Sequence, residues 1–133
     1  MPKKVAYICA PYAQDDKHIV FQHVFLAETH YAQSATDRGF VALVPHTMFP
    51  RATEADRAEI MATCCEIVAC CDLLLVCGDR LSAGMAEEIH TAYAAGVQVE
   101  WTSRELWRQW CNETGDNQPD PFDDGYDNSD DLR

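Results

Sequence analysis

Residues 72–96 read DLLLVCGDRLSAGMAEEIHTAYAAG, and they decide the fold. Leu73 to Cys77 is an unbroken apolar run behind a single acid, Asp72. A strand with one solvated face alternates, whereas one covered on both faces does not, so this run predicts a central parallel strand. Gly78 to Ala83 predicts a turn, Gly84 to Ala95 a helix, and Gly96 its C-terminal cap. Gly78 and Gly84 permit a tight turn and close approach of a ligand to the backbone. Ser82 stands just before the helix, where it can cap it or donate to an anionic oxygen. Glu88 lies about one turn in, placed to reach up to the rim, while Glu87 is rotated about 100° away and reads as a surface residue.

Working outward, Lys4 to Cys9 is a β-rich run ended by Ala10-Pro11-Tyr12. From Asp15 to about Arg38 the apolar positions Val20, Val24, Ala27, Tyr31 and Ala35 recur at helical steps, and Gly39 stops the helix. Phe40 to Val44 predicts a second strand, ended by Pro45-His46, and residues 47–53 a loop. A helix begins at Thr53 or Glu54 with Ile60, Cys64, Ile67 and Cys71 on one face. Val97 to Trp101 is a fourth strand, and Ser103 caps a last helix carrying Trp107 and Trp110. Strands separated by such helices are parallel, joined by right-handed crossovers. The expected fold is therefore α/β, a three-layer doubly wound parallel sheet in the order 2-1-3-4.

In such sheets the ligand sits beyond the carboxyl ends of the strands, near the switch point between the first and third. That rule selects 10–14, 45–51 and 78–88 as the rim. His46 there can bind a ligand or exchange protons near neutral pH, or serve as a structural hydrogen-bonding group. Tyr7 and Tyr12 bracket the end of strand 1, with Tyr7 read either as core packing or as a pocket wall. His18, His23 and His30 read as surface or interface residues. Phe21 and Phe25, flanked by Ile19 and Leu26, form a second apolar patch on the first helix. It fits burial against another subunit, in a homodimer or larger homo-oligomer, or packing against the last helix.

Composition bounds the rest. The chain of 133 residues carries a formal charge of −12, and more than half of that excess lies in residues 112–133. That stretch, rich in Asp, Asn, Gly and Pro, is expected to be a flexible acidic tail behind a domain of residues 1–111. No basic stripe exists to neutralise phosphates, which excludes a duplex nucleic-acid binder. No apolar run is long enough to span a membrane, and MPKKVAYICAPY lacks a signal-peptide cleavage pattern, so a cytoplasmic protein is expected. The seven cysteines have neither disulfide-framework nor zinc-ligand spacing and read as buried reduced thiols. GxxxxGK[ST] and GxGxxG are both missing, and no cofactor or metal is expected.

Three motifs in order suggest a family: Pro11-Tyr12, the segment Pro45-His46-Thr47-Met48-Phe49-Pro50, and Ser82-Ala83-Gly84-Met85-Ala86-Glu87-Glu88. Over roughly residues 4–100 the chain resembles the nucleoside 2-deoxyribosyltransferase-like family, in a branch often encoded by phages and prophages. The resemblance implies a flavodoxin-like sheet, an oligomer, and chemistry at the N-glycosidic bond of a nucleoside or nucleotide. It makes Glu88 the nucleophile on the anomeric carbon and Tyr7 its support. It also implies that Ser82 and Gly84 hold a 5′-phosphate, with Pro11, Tyr12, His46, Gly78 and Met85 lining the pocket. Relatives carry an aspartate eight residues before the acid that opens strand 3, and this chain has Cys64 there. The acid role would pass to Asp79, His46 or Asp56, or be absent. The alternative is a protein on the same scaffold that binds a nucleotide without turnover.

Overall fold

A computed structural model describes residues 3–11, 27–45, 54–116 and 118–122. Its elements are β1 (Val5–Cys9), α1 (Ala32–Asp37) behind a wider turn of π-helix (Ala27–Tyr31), and β2 (Val41–Leu43). Then come α2 (Arg57–Cys70) led by a 3₁₀ turn (Glu54–Asp56), β3 (Leu73–Val76), α3 (Ala83–Ala95), β4 (Gln98–Trp101) and α4 (Arg104–Thr114). The four strands form one parallel sheet in the order β2-β1-β3-β4. This is the expected α/β fold and the expected strand order.

Register explains why β3 reads as a continuous apolar run. Tyr7 pairs with Leu74 and Cys9 with Val76 across the β1–β3 ladder. These four side chains share one face, packed with Cys64 and Val68 of α2, Met85, Ile89 and Ala92 of α3, and Leu106 and Trp110 of α4. Ala6, Ile8, Leu73, Leu75 and Cys77 point to the other face, against Ala35 of α1 and the rim of Tyr31 and Phe40. Every residue of β3 is buried, so both sides of the pleat contribute, each aliphatic side chain by about 2 kcal/mol. Asp72 secures the entry to the ladder: its Oδ2 accepts from the Val5 amide at 2.8 Å, and its own amide donates to Val5 O at 3.0 Å.

Helix ends follow the sequence signals. Gly39, at φ +90°, closes α1 with Gly39 N–H on Thr36 O (3.0 Å) and Phe40 N–H on Ala35 O (3.1 Å). Ser103 Oγ accepts from Leu106 N at 3.3 Å to cap α4, and Gly96, at φ +75°, ends α3. On α2 the inward stripe is Cys64 and Val68, continued by Cys71 at its C-cap, with Ile60 and Ile67 only partly buried along its edge. The patch of Ile19, Phe21, Phe25 and Leu26, and His18 and His23, lie outside the described residues.

The expected domain boundary lies after residue 111. It falls inside α4, which runs on to Thr114 and is capped by Gly115 at φ +73°. The chain then turns back over the domain: Trp110 Nε1–H donates to Asp116 Oδ2 (3.1 Å) and Tyr93 O–H to Gln118 Oε1 (3.0 Å). Arg104 pairs with Asp120 at 3.0 Å and stacks over Phe122. The polar composition of 112–122 serves contacts with aromatic and cationic partners that composition alone does not reveal. No helix among the described residues is long and apolar enough to cross a membrane.

Gly78 holds the turn after β3 at φ +101°, and a Cβ there would meet Pro11 Cδ at 2.5 Å. Gly78→Ala therefore combines backbone strain with a collision against a buried ring. It is expected to lower unfolding free energy by about 1 to 3 kcal/mol, measured by urea denaturation at unchanged m-value.

Candidate functional site

The site forms where one face of β1 meets the inward stripe of α3. Residues two apart on a strand share a face, so Tyr7 and Cys9 point together toward α3, and both are wholly buried. On α3 the buried positions are Met85, Glu88, Ile89 and Ala92, spaced three and four apart. Glu88 thus lies on the stripe that faces the sheet, 7% exposed, rather than reaching up to an open rim. Among the described residues it is the buried charged side chain of the core.

Its carboxylate is held at both oxygens. The Tyr7 hydroxyl donates to Oε2 in a short hydrogen bond, and the Cys9 thiol lies 3.5 Å from Oε1 and 3.9 Å from the Met85 carbonyl. Cys64 of α2 packs in the same cluster and acts on the Tyr7 hydroxyl, so α2, β1 and α3 meet at this point. Burial raises the Glu88 carboxyl to about 7; the Tyr7 and Cys9 hydrogen bonds pull against that rise, and the neighbouring charge of Glu87 adds to it. Tyr7 is pushed far above its ordinary range by burial first and then by the Glu88 charge. Cys9 and Cys64 are raised for the same leading reason, so all three stay protonated at neutral pH.

The β3–α3 turn sits above this cluster. Ser82 caps α3: its Oγ accepts from Met85 N at 3.2 Å, and its own amide donates to Met85 Sδ at 3.4 Å. Met85 is 1% exposed, a core side chain rather than an open pocket wall. Gly78 admits Pro11, itself buried, and Gly84 admits Met61 Sδ, 3.3 Å from where a Cβ would stand. These close approaches are made by the protein's own side chains. Asp79 is exposed, and its charge acts on Tyr31 across the sheet from Glu88. Arg80, in the same turn, has its Nη2 buried with no hydrogen-bond partner among the described residues.

Among the expected site residues, then, Tyr7 and Glu88 are in contact, Ser82, Gly84 and Met85 form the first turn of their helix, and Asp79 stands apart. Tyr12 and His46 lie outside the described residues. By sequence Cys9 and Cys64 read as buried thiols. The signal for Cys9 is its place two residues from Tyr7 on one strand; for Cys64, its place on the inward stripe of α2. A concavity of about 340 Å³ lined by Thr29, His30, Gln33, Ser34, Asp37 and Arg38 lies along α1 and does not include Glu88. Among the described residues no group of His, Cys, Asp and Glu is arranged to hold a metal ion.

Fold and site together define a small doubly wound α/β domain with a buried carboxylate clamped beneath the β3–α3 turn. By sequence the chain belongs to the family described as "Domain of unknown function (DUF7768)", whose model matches residues 4–102. That match takes in all four strands, Tyr7, Cys9, Cys64 and Glu88, and stops short of α4. No curated protein matches the chain.

A carboxyl raised in the folded state stabilises most when it is protonated. Its contribution is fully present below about 4.5 and is lost as pH rises through about 7. Wild-type unfolding free energy is expected to fall by up to about 3 kcal/mol over that window from this group. Glu88→Gln removes the titration, so its stability curve flattens there and lies above wild type at pH 8; denaturant melts across pH measure both.

Proposed function

We propose that the chain breaks or exchanges the N-glycosidic bond of a nucleoside or nucleotide, with Glu88 as nucleophile. The observation that carries this reading is the Glu88 carboxylate, buried and oriented by Tyr7 and Cys9 below the turn where doubly wound sheets bind ligands. Losing a base leaves an oxocarbenium-like centre, which a fixed carboxylate can stabilise or trap. Glu88 attacks the anomeric carbon, the C–N bond breaks with its electron pair leaving on the base, and water or a second base then displaces Glu88. Tyr7, protonated throughout, donates to the carboxylate and holds one oxygen in place. Ser82 and the first turn of α3 would meet a phosphate, and Arg80, whose Nη2 has no partner among the described residues, supplies a cation in the same turn. The resemblance of the Pro11-Tyr12, Pro45–Pro50 and Ser82–Glu88 motifs to the transferase-like family supports the same assignment.

A specific observation favours a second reading, a nucleotide-binding protein without turnover. The described groups against Glu88 are a phenol and two thiols, each held neutral by burial, with Cys64 where relatives have an acid. None of these protonates a departing base well at neutral pH.

The test is incubation with (deoxy)nucleosides and their 5′-monophosphates, following free base. Base release is expected with a rate that rises with pH through about 7, as Glu88 ionises. Glu88→Gln is expected to slow it at least about a thousandfold. Tight binding of one compound with no base released from any would overturn the enzyme and favour the binder.

A further inference from the structure

We infer that Cys9 is a positioning residue for Glu88, a thiol that turns between the carboxylate and the Met85 carbonyl as Glu88 gains and loses its proton. The inference takes Glu88 as the working carboxylate proposed above, but it concerns the resting protein.

The geometry is that of one donor between two acceptors. Cys9 Sγ lies 3.5 Å from Glu88 Oε1 and 3.9 Å from Met85 O, inside a fully buried setting. With Glu88 ionised, the S–H points at Oε1 while Tyr7 O–H occupies Oε2. When Oε1 takes a proton, the new O–H has no use for a second donor. It donates instead to the sulfur, and the S–H swings to the Met85 carbonyl. One proton enters, no other covalent bond is made or broken, and each of these polar atoms keeps a hydrogen-bond partner in both states. An alanine leaves Oε1 without its donor in the ionised state, and a buried carboxylate short of a donor holds its proton more tightly.

Among the described residues the groups acting on Glu88 are few. From β1 they are Tyr7 and Cys9; from α2, Cys64, beside Tyr7; from α3 itself, Glu87. The Tyr7 O–H is committed to Oε2, with Cys64 as its neighbour from α2. Cys9 differs in having a second oxygen acceptor, the Met85 carbonyl, within reach.

The test reads titration. In full-length protein carrying ¹³C-labelled glutamate, the Glu88 carboxyl resonance is identified by its loss in Glu88→Gln, and its midpoint is followed with pH. Cys9→Ala is expected to raise that midpoint by about one unit, a tenfold gain in proton affinity. Cys9→Ser, which keeps a donor, is expected to hold it at or below the wild-type value, and Cys64→Ala to move it less than Cys9→Ala. In wild type, the infrared difference spectrum taken across the midpoint is expected to contain an S–H stretching change that disappears in Glu88→Gln. That last measurement needs no Cys9 variant to fold. An unshifted midpoint in Cys9→Ala, or an S–H band indifferent to Glu88 ionisation, overturns the inference. Because no arm reads base release, its failure leaves the glycosidic-bond reading standing, and an inactive protein with a moving S–H band leaves Cys9 in its role.

Discussion

The hydrogen bond from Tyr7 to Glu88 joins β1 to α3 through the middle of the core, and much of the structure is arranged around it. A carboxylate taken out of water is costly, and it is tolerated only where donors replace the lost solvent. Here the replacements come from one strand face, Tyr7 on one oxygen and Cys9 on the other. That requirement fixes the rotation of α3 about its axis: Met85, Glu88, Ile89 and Ala92 must all face the sheet together. The Ser82 cap and the Gly96 terminus then set where the helix starts and stops. Even so the offset is incomplete. Two neutral donors do not equal bulk water, and the carboxyl sits near 7 rather than in the usual acidic range.

The fold was legible because its signals are local. Leu73 to Val76 is apolar on both faces of the pleat, which only a central strand satisfies. Gly39, Gly96 and Ser103 sit where helix-end chemistry demands them. The site was legible only in part. Spacing placed Glu88 one turn into α3, but whether that position points up or inward depends on how the helix rolls against β1, a tertiary fact. Cys9 reads as a small hydrophobe in any strand until an acceptor is brought to it from 79 residues away. The start of the acidic tail shows the same limit of local reading. Asp116, Gln118 and Asp120 look like solvated tail chemistry, yet each finds a partner among Trp110, Tyr93 and Arg104. Composition weighs a segment's ability to bury itself and not its ability to be tied down by others.

The two glycines of the turn show how one signal serves two purposes. Each permits close approach to the backbone, and sequence alone cannot say by what. In the structure Pro11 fills the approach at Gly78 and Met61 the approach at Gly84. The β3–α3 turn is thereby locked to the end of β1 on one side and to α2 on the other. A locked turn gives precise placement to whatever Ser82 and Arg80 meet, because neither can drift without displacing buried groups.

The charge balance of the cluster bears most directly on what it can do. Glu88 is surrounded by groups that donate hydrogen bonds but resist giving up their protons, since burial penalises the anions of Tyr7, Cys9 and Cys64 alike. Such an environment supports a carboxylate as a nucleophile or as an electrostatic partner for a developing cation, because donors hold its oxygens without neutralising it. It does not supply a strong acid to a leaving group on the same side. A reaction run here must therefore either expel a base that departs with little help or take its proton from the segments around Tyr12 and His46. A phosphate held by Ser82 and Arg80 would bear on the same problem, since binding energy from a remote, unreacting group can be used to press the anomeric centre against Glu88. On the proposed function the division of labour is a carboxylate below the turn, an anion grip at Ser82 and Arg80, and an acid supplied from outside this cluster.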